Sequence, residues 1–322
     1  MKHHNAWLAA AIAAPIAFGF SPAKPETIGV FTKSAGNPIA RVVRAGSEAV
    51  AKANGITLLQ YIPTSPDNVA QQTALVDEAL KSKMDAIVFT PVDIKAMVPS
   101  VQKLNAAGVP VVNIGDKVAG GDVVAFITTD DYAIAVDTAR TLFKAMGGKG
   151  NLIVLEGPET APTAVARLRG FKDALKEFPE IKVVLSKDAS YARPVAANLL
   201  KSMLKANPNQ QVDGILAAND AMAFGAIETF KEAKKKTLVA GINASKEAVD
   251  LIKAGDMLAS GDYNGLVEGC LGVEIALRTL HKQPVPKEVM ARTSVVSMAN
   301  YTEYEVPAEK RACPTLESLT AK

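Results

Sequence analysis

A group of polar side chains follows the carboxyl ends of the apolar segments that we predict to be strands. It combines amides, carboxylates, hydroxyls and two cations, and it contains no nucleophile paired with an activating base. Groups of these types can donate and accept hydrogen bonds, which suits a ligand that carries several hydroxyls. The members are Lys33, Asn37, Thr90, Asp93, Asn113, Asp116, Arg167, Asn219, Asp220, Asn243, Asp262 and Tyr263.

Taken singly, several of these side chains also have a structural explanation. Asn37 and Asp220 each stand at the start of a predicted helix, where Asn and Asp commonly act as caps. Arg167 flanks an apolar helical stripe and could simply be solvated, and Asn243 could be a turn residue. Two tyrosines could be half-buried packing residues: Tyr191 and Tyr263. A binding role is favoured because so many of these residues converge on one edge of a predicted sheet.

Histidine and cysteine are too scarce for most hydrolase or metalloenzyme sites. Two of the three histidines, His3 and His4, lie at the extreme N-terminus, which leaves His281 alone in the body of the chain. A zinc site normally needs several His or Cys ligands, so we predict no metal and no cofactor. The only cysteines, Cys270 and Cys313, could form a disulfide or stay apart, since sequence alone does not place them within bonding reach.

The composition is that of an ordinary globular chain with little excess charge. The length of 322 residues suggests about two domains. Apolar residues make up 48% and charged residues 21%, which excludes disordered and collagen-like chains. The net charge of +3 falls to +2 without the first 23 residues, since Lys2 is the only charge among them. We therefore expect neither nucleic acid nor an acidic membrane surface as a partner.

The N-terminus has the pattern of an export signal. A short basic start at Lys2 precedes an uncharged run from Trp7 to Phe20, and Ser21-Pro22-Ala23 provides the small residues of a cleavage site. The alternative is a retained membrane anchor, but the run of 14 residues is short of the roughly 20 that a span needs. We predict cleavage after Ala23 and a mature protein in the bacterial periplasm.

Short apolar strands alternate with amphipathic helices along the rest of the chain, which is typical of parallel α/β sheets. Asp85–Thr90 and Val109–Ile114 form one pair of strand-and-helix steps, and Asp213–Ala217 and Thr237–Ile242 form a similar second pair. The number of steps exceeds one sheet. We therefore predict two doubly wound lobes of the same kind, with no Gly/Ser linker between them.

Five segments carry a resemblance to a known family: Asn37-Pro38 after the first strand, and the segments 107–116, 167–175, 217–226 and 239–245. With them the chain resembles the periplasmic sugar-binding proteins of ABC importers, in the ribose-binding-protein group (type I periplasmic binding proteins). The resemblance implies two Rossmann-like lobes, each a parallel sheet flanked by helices, joined by three crossings and closing on a sugar. The domains would be a signal peptide at 1–23, an N-terminal lobe at 24–129 and 264–292, and a C-terminal lobe at 130–263 and 293–322.

The resemblance also implies a set of ligand-binding residues. These are Asn37, Asp116 or its neighbour Gly115, Arg167, Tyr191, Asn219, Asn243, and either Asp262 or Tyr263. The chain departs from the family where Ile39, Ala40 and Arg41 stand in place of the usual aromatic residues, and where Asn243 replaces a carboxylate. A pocket with fewer stacking faces is compatible with a pentose, a polyol or a cyclitol.

The function implied by the resemblance is that of a monomeric, non-enzymatic binding protein that hands a small polyhydroxylated ligand to an inner-membrane ABC permease. One alternative is a sensory protein that presents its ligand to a receptor. A regulator of the lactose-repressor class would need a basic helix-turn-helix where the export signal stands. A secreted carbohydrate-active enzyme with a pair of carboxylates is the remaining alternative.

Overall fold

The computed structural model describes residues 25–34, 38–65, 68–291, 293–307 and 310–320. The predicted export signal and the candidate Asn37 lie outside these described residues. Within the described ranges, no helix combines the length and the apolar character needed to cross a membrane.

Strands and helices alternate along most of the described chain. The strands are β1 (Thr27–Phe31), β2 (Thr57–Tyr61), β3 (Ala86–Phe89), β4 (Val111–Ile114), β5 (Ala125–Thr129), β6 (Lys149–Glu156), β7 (Glu180–Asp188), β8 (Gly214–Ala217), β9 (Leu238–Ile242), β10 (Ala259–Asp262), β11 (Glu288–Ala291) and β12 (Ser294–Ser297). The helices are α1 (Pro38–Asn54), α2 (Val69–Lys81), α3 (Val98–Ala106), α4 (Asp131–Ala145), α5 (Pro162–Leu175), α6 (Arg193–Ala206), α7 (Asp220–Glu232), α8 (Lys246–Ala254), α9 (Gly265–Leu280) and α10 (Leu316–Thr320), with a 3₁₀ helix at Tyr301–Tyr304.

The strands form two sheets. The first has the order β11-β5-β4-β3-β1-β2 and is parallel throughout. The second has the order β12-β10-β9-β8-β6-β7 and is parallel except for β12, which pairs antiparallel with β10. Central strands such as β3 and β8 bury every side chain. Helices cover both faces of such sheets, which explains why these strands are continuous apolar runs.

Each sheet and its helices make one lobe. Among the described strands the chain passes from one sheet to the other three times: between β5 and β6, between β10 and β11, and between β11 and β12. Helix α9 packs against α1 in the first lobe, whereas α4 packs against α5 in the second. The predicted fold class, two α/β lobes with parallel sheets, is confirmed.

The C-terminal tail differs from the prediction, which assigns all of 293–322 to the second lobe. β12 does belong to the second sheet, but the tail then returns to the first lobe. Leu316 is 6% exposed within the first lobe's apolar core, and Glu317 pairs with Arg278 of α9. Cys313 forms a disulfide with Cys270 of α9. The domain limit is therefore wrong for this tail, because its apolar and covalent contacts lie in the first lobe.

Candidate functional site

A cleft of about 700 Å³ lies between the lobes and is lined by both. Each of its main lining loops directly follows a strand, from Thr32 after β1 to Tyr263 after β10. This is the edge where parallel α/β sheets bind ligands, because the carboxyl ends of the strands meet there.

Arg167 is a firmly held cation in the wall of the cleft. It projects from α5, is only 4% exposed, and donates from Nε to Asp131 Oδ1 at 2.7 Å and from Nη1 to the Ala218 carbonyl at 2.7 Å. Its guanidinium carbon lies 5.9 Å from the ring centre of Tyr191 and 5.4 Å from that of Tyr263. Burial alone would lower the pKa of Arg167, but the Asp131 carboxylate raises it above its ordinary value. The guanidinium is therefore permanently charged and fixed in orientation.

Asn219 has a structural role at the start of α7 and also lines the cleft. Its Oδ1 accepts a hydrogen bond from the Met222 backbone amide at 2.9 Å, so it is the N-cap of this helix. Its Nδ2 donates to the Tyr191 carbonyl at 3.0 Å. The amide plane is therefore fixed in position at the cleft wall.

Asp220, the next residue in the chain, forms its hydrogen bonds inside the second lobe. Its Oδ2 accepts from the backbone amide of Ser245 at 2.9 Å and its Oδ1 from the Ser260 hydroxyl at 2.6 Å. Burial raises the pKa of this carboxyl, and these hydrogen bonds oppose the rise. They tie the loop after β9 to β10 and thereby position Asn243, which lines the cleft in a left-handed conformation with φ of 139°.

Tyr191 stands in the loop after β7, also in a left-handed conformation, with φ of 55°. Its hydroxyl lies 3.1 Å from Thr163 Oγ1 at the start of α5. The ring packs over Gly157, where an added Cβ would lie 2.5 Å from ring atoms. Burial raises the pKa of Tyr191, so the phenol is neutral and can both donate and accept in the cleft.

The first lobe contributes an ion pair between Lys33 and Asp116, with Nζ 2.5 Å from Oδ2. Asn113, one of the predicted polar residues, does not line the cleft but shapes the loop beneath this pair. Its Nδ2 donates to the carbonyl of Asp116 at 2.9 Å, and its Oδ1 accepts from the Val118 amide at 2.9 Å. Thr90 and Asp93 also line this wall.

Asp262 and Tyr263 occupy different sides of the loop after β10. Tyr263 lines the cleft and is 7% exposed, and its carbonyl accepts a hydrogen bond from Thr129 Oγ1. Asp262 does not line the cleft. Its carboxyl accepts from the Asn264 amide at 2.7 Å and from the Tyr304 hydroxyl at 3.0 Å. Of the two alternatives, Asp262 or Tyr263, the structure places Tyr263 on the cleft wall, whereas both carboxyl oxygens of Asp262 are used inside the second lobe.

A model of the periplasmic binding protein domain matches residues 28–284 of the chain. The chain belongs to this family. Among the described residues of this periplasmic binding protein, no cluster of His, Cys, Asp and Glu side chains could hold a metal ion.

Relatives of this periplasmic binding protein are named for sugars and polyols. A D-apiose import binding protein of Paraburkholderia graminis is 31% identical over 93% of this chain and 97% of its own. A xylitol-binding protein of Mycolicibacterium smegmatis is 29% identical over 72% of this chain and 66% of its own. The crystal structure of an ABC transporter periplasmic solute-binding protein from Actinobacillus succinogenes, with bound D-allose, has a TM-score of 0.82 and 31% identity over 87% of this chain and the whole of that one. The predicted class, an importer's binding protein, is thus confirmed at the level of the family.

The cleft of this periplasmic binding protein gathers most of the residues that the sequence suggested. Of the ligand-binding residues implied by the resemblance, those that line it are Asp116, Arg167, Tyr191, Asn219, Asn243 and Tyr263. The other polar candidates that line it are Lys33, Thr90, Asp93 and Asp220. Two acids near Arg167 are not among the candidates from the sequence: Asp131, which is the partner of Arg167, and Glu268 in the first turn of α9. Glu268 could have been identified as a candidate from the sequence, since it is the only charged residue in the apolar stretch 265–273.

Proposed function

We propose that this protein is the solute-binding component of a sugar-type ABC importer and captures a small, uncharged, polyhydroxylated solute in the cleft. The observation that supports this best is the fixed Arg167, whose guanidinium has five donors in a planar fork and two of them committed to protein acceptors. The remaining donors can clamp neighbouring solute oxygens.

The charges of the cleft favour a neutral solute. Arg167 pairs with Asp131, and Lys33 pairs with Asp116. An anionic solute would need cations beyond these two compensated pairs, and the nearby carboxylates would repel it. Hydroxyl groups avoid this conflict because they donate to carboxylates and accept from the cations.

The predicted ligand contacts on the described wall are Asp116, Arg167, Tyr191, Asn219, Asn243 and Tyr263, with Asn37 as a further predicted contact. The aromatic faces available for stacking are few, which favours a pentose, a polyol or a cyclitol over a pyranose held between two rings. The names of the D-apiose and xylitol relatives support the same class.

The protein works outside the cytoplasmic membrane as a monomer that delivers its solute to a permease, without nucleic acid or cofactor. The sequence of residues 1–23 supports export and cleavage after Ala23. The intact mass of the exported protein should correspond to a chain that begins at Lys24. Retention of Met1 would contradict this.

The solute class can be tested with the purified chain from Lys24 onward. A thermal-shift screen should include D-apiose, D-allose, D-ribose, xylitol, myo-inositol and the anionic D-gluconate as a control. A solute that binds only the native state raises the melting temperature, by an amount that grows with its concentration. We expect a shift with at least one neutral compound and none with gluconate. A shift with gluconate alone would overturn the proposed solute class.

A further inference from the structure

The proposed contacts leave one acid of the cleft without a role. Glu268 lies in the first turn of α9, lines the cleft beside Tyr263, and is only 2% exposed. Its Oε1 is buried and has no hydrogen-bond partner within the described part of the chain. Leaving a buried polar atom without a hydrogen bond is costly, so the position of Glu268 calls for a partner that the described chain does not supply.

Every other buried acid of the cleft is compensated. Asp131 pairs with Arg167 and Asp116 pairs with Lys33. Asp220 accepts hydrogen bonds from two serines of its own lobe. Glu268 differs from them because no cation or backbone amide in the described residues meets its carboxyl.

The backbone that carries Glu268 is held rigidly. An added Cβ at the adjacent Gly269 would collide with the Val43 carbonyl of α1, and Ser47 of α1 donates to the Gly269 carbonyl at 3.3 Å. Helix α9 therefore cannot turn its first residues away from the cleft. An added Cβ at Gly115 would lie 3.8 Å from Glu268 Oε2, so this oxygen lies close to the cleft-lining loop after β4.

The surroundings of Glu268 disfavour its charged form. Tyr263 lies beside it, Asp116 approaches from the end of β4 and Asp131 from α4, and Arg167 and Lys33 are already engaged with those two carboxylates. Burial raises the pKa of Glu268 well above its ordinary value and repulsion from Asp131 and Asp116 raises it further, while a hydrogen bond from the Tyr263 hydroxyl and the charge of Arg167 oppose the rise. A neutral carboxyl has one hydroxyl donor as well as an acceptor.

We propose that Glu268 is a further solute-contacting residue, whose neutral carboxyl donates a hydrogen bond to an oxygen of the bound solute. The inference rests on the proposed function, because it assumes a polyhydroxylated solute in this cleft. It extends that function in one respect: solute binding is coupled to retention of a proton. Affinity therefore falls as the pH rises through the pKa of Glu268 in the free protein.

The test compares wild type with Glu268→Gln, Glu268→Met and the control Glu274→Gln. Glu274 is on the same helix, but it contacts Arg278 and the tail and does not line the cleft. D-apiose, D-allose, xylitol and myo-inositol serve as probes, and calorimetry measures affinity from pH 5.5 to 8.5. Calorimetry in two buffers of different ionisation enthalpy also counts the protons taken up on binding.

Wild type and Glu274→Gln should bind more weakly as the pH rises, by up to about tenfold per pH unit, with proton uptake on binding at the alkaline end. Glu268→Gln retains a donor and an acceptor, so its affinity should be close to wild type at pH 5.5 and should not change with pH. Glu268→Met should bind about tenfold more weakly than wild type at pH 5.5, since it loses the hydrogen bond.

Wild-type affinity in Glu268→Met would overturn the assignment, and so would affinity that rises with pH or proton release on binding. A pH dependence that persists in Glu268→Gln would assign the titration to Asp131 instead and would also overturn it. If wild type binds none of the four probes at any pH, the proposed function fails and this contact fails with it. Binding by wild type that Glu268→Met leaves unchanged defeats the contact alone.

Discussion

The two walls of the cleft hold their charged groups differently. In the second lobe, the side chains of Arg167 and Asp131 are 5% and 10% exposed, and a second hydrogen bond to a backbone carbonyl fixes the guanidinium. In the first lobe, Lys33 reaches Asp116 with a side chain that is 29% exposed. The second wall is built as part of its lobe's core, whereas the first holds a partly exposed ammonium group by one ion pair.

This difference determines whether the side chains of each wall are ordered during folding or only when a solute binds. The second wall is ordered and desolvated during folding, so a solute meets groups that are already oriented. Lys33 is partly exposed and is held by one ion pair, so we expect it to lose more side-chain freedom on binding than Arg167 does. Fixing such a side chain costs about 0.5–1.5 kcal/mol. Binding free energy should therefore depend more on the second lobe than on the first.

The largest effect should come from Arg167→Ala. The change removes the clamp on the solute and leaves Asp131 buried without its partner. Removing one member of such a set typically costs about 2–5 kcal/mol of binding free energy, which is roughly 30-fold or more in affinity. The same loss should destabilise the fold by about 3–5 kcal/mol. Calorimetry and chemical unfolding measure the two effects.

The matched control is Arg169→Ala, two residues further along α5. Arg169 is exposed, stacks on Tyr132 and does not line the cleft, so its loss should leave affinity unchanged. Arg167→Lys provides a folded alternative, because it keeps the charge and loses the planar fork. Equal losses in Arg167→Ala and Arg169→Ala would show that the second wall does not carry the binding.

The second-largest effect is expected on stability, from loss of the disulfide between Cys270 and Cys313. This bond ties the C-terminal tail to the first lobe. The tail leaves the second sheet after β12 and is bonded through Cys313 to Cys270 in the first lobe. The bond closes a loop of 43 residues, so the double change Cys270→Ala with Cys313→Ala should lower the free energy of unfolding by about 2–4 kcal/mol. Affinity should not change, since neither cysteine lines the cleft. Unchanged unfolding on reduction of the wild type would contradict the prediction.

The parts of the fold that could be predicted from the sequence are those in which local pattern and burial agree. β3 and β8 are apolar runs buried on both sides, and the residues that follow the strands do meet at one edge. β11 and β12 are hard to predict from the sequence, because such four-residue, partly exposed strands depend on pairing with β5 and β10 more than on their own composition.

The site was less predictable where a neighbour in space decides the role of a residue. Asp262 and Tyr263 are adjacent, and only the position of Tyr304 determines that the aspartate is used inside the lobe. The pairing of Cys270 with Cys313 depends on a tail that returns to the first lobe. Glu268 stands out as a charged residue in an apolar stretch, but only the packed structure shows that its Oε1 has no hydrogen-bond partner among the described residues.

A smaller effect is expected at Asn219, where two roles overlap. Asn219→Ala removes the N-cap of α7 and should lower stability by about 0.5–2 kcal/mol. It also removes a proposed solute contact, which should weaken binding by about tenfold. Asn219→Ser restores a capping oxygen without the amide donor, so stability should recover while affinity does not. Recovery of both in the serine variant would show that Asn219 acts only as a cap.

The smallest effect should come from Lys33→Met, which tests the first wall. The lysine side chain is 29% exposed, but its partner Asp116 is buried, so the change leaves a carboxylate without its cation. Stability should fall by less than in Arg167→Ala, because Asp116 lines the open cleft, where solvent can replace the ammonium group. Affinity should fall by less than about tenfold, because the proposed anchor on the second wall, Arg167, remains. In addition, the entropy cost of ordering Lys33 on binding offsets part of the free energy that its hydrogen bonds to the solute contribute. Titrations of wild type at 50 mM and 500 mM salt should differ little, since the solute is neutral. A loss of affinity in Lys33→Met as large as that in Arg167→Ala would show that both walls contribute equally to the binding free energy. The greater exposure of Lys33 would then not reduce the contribution of the first wall.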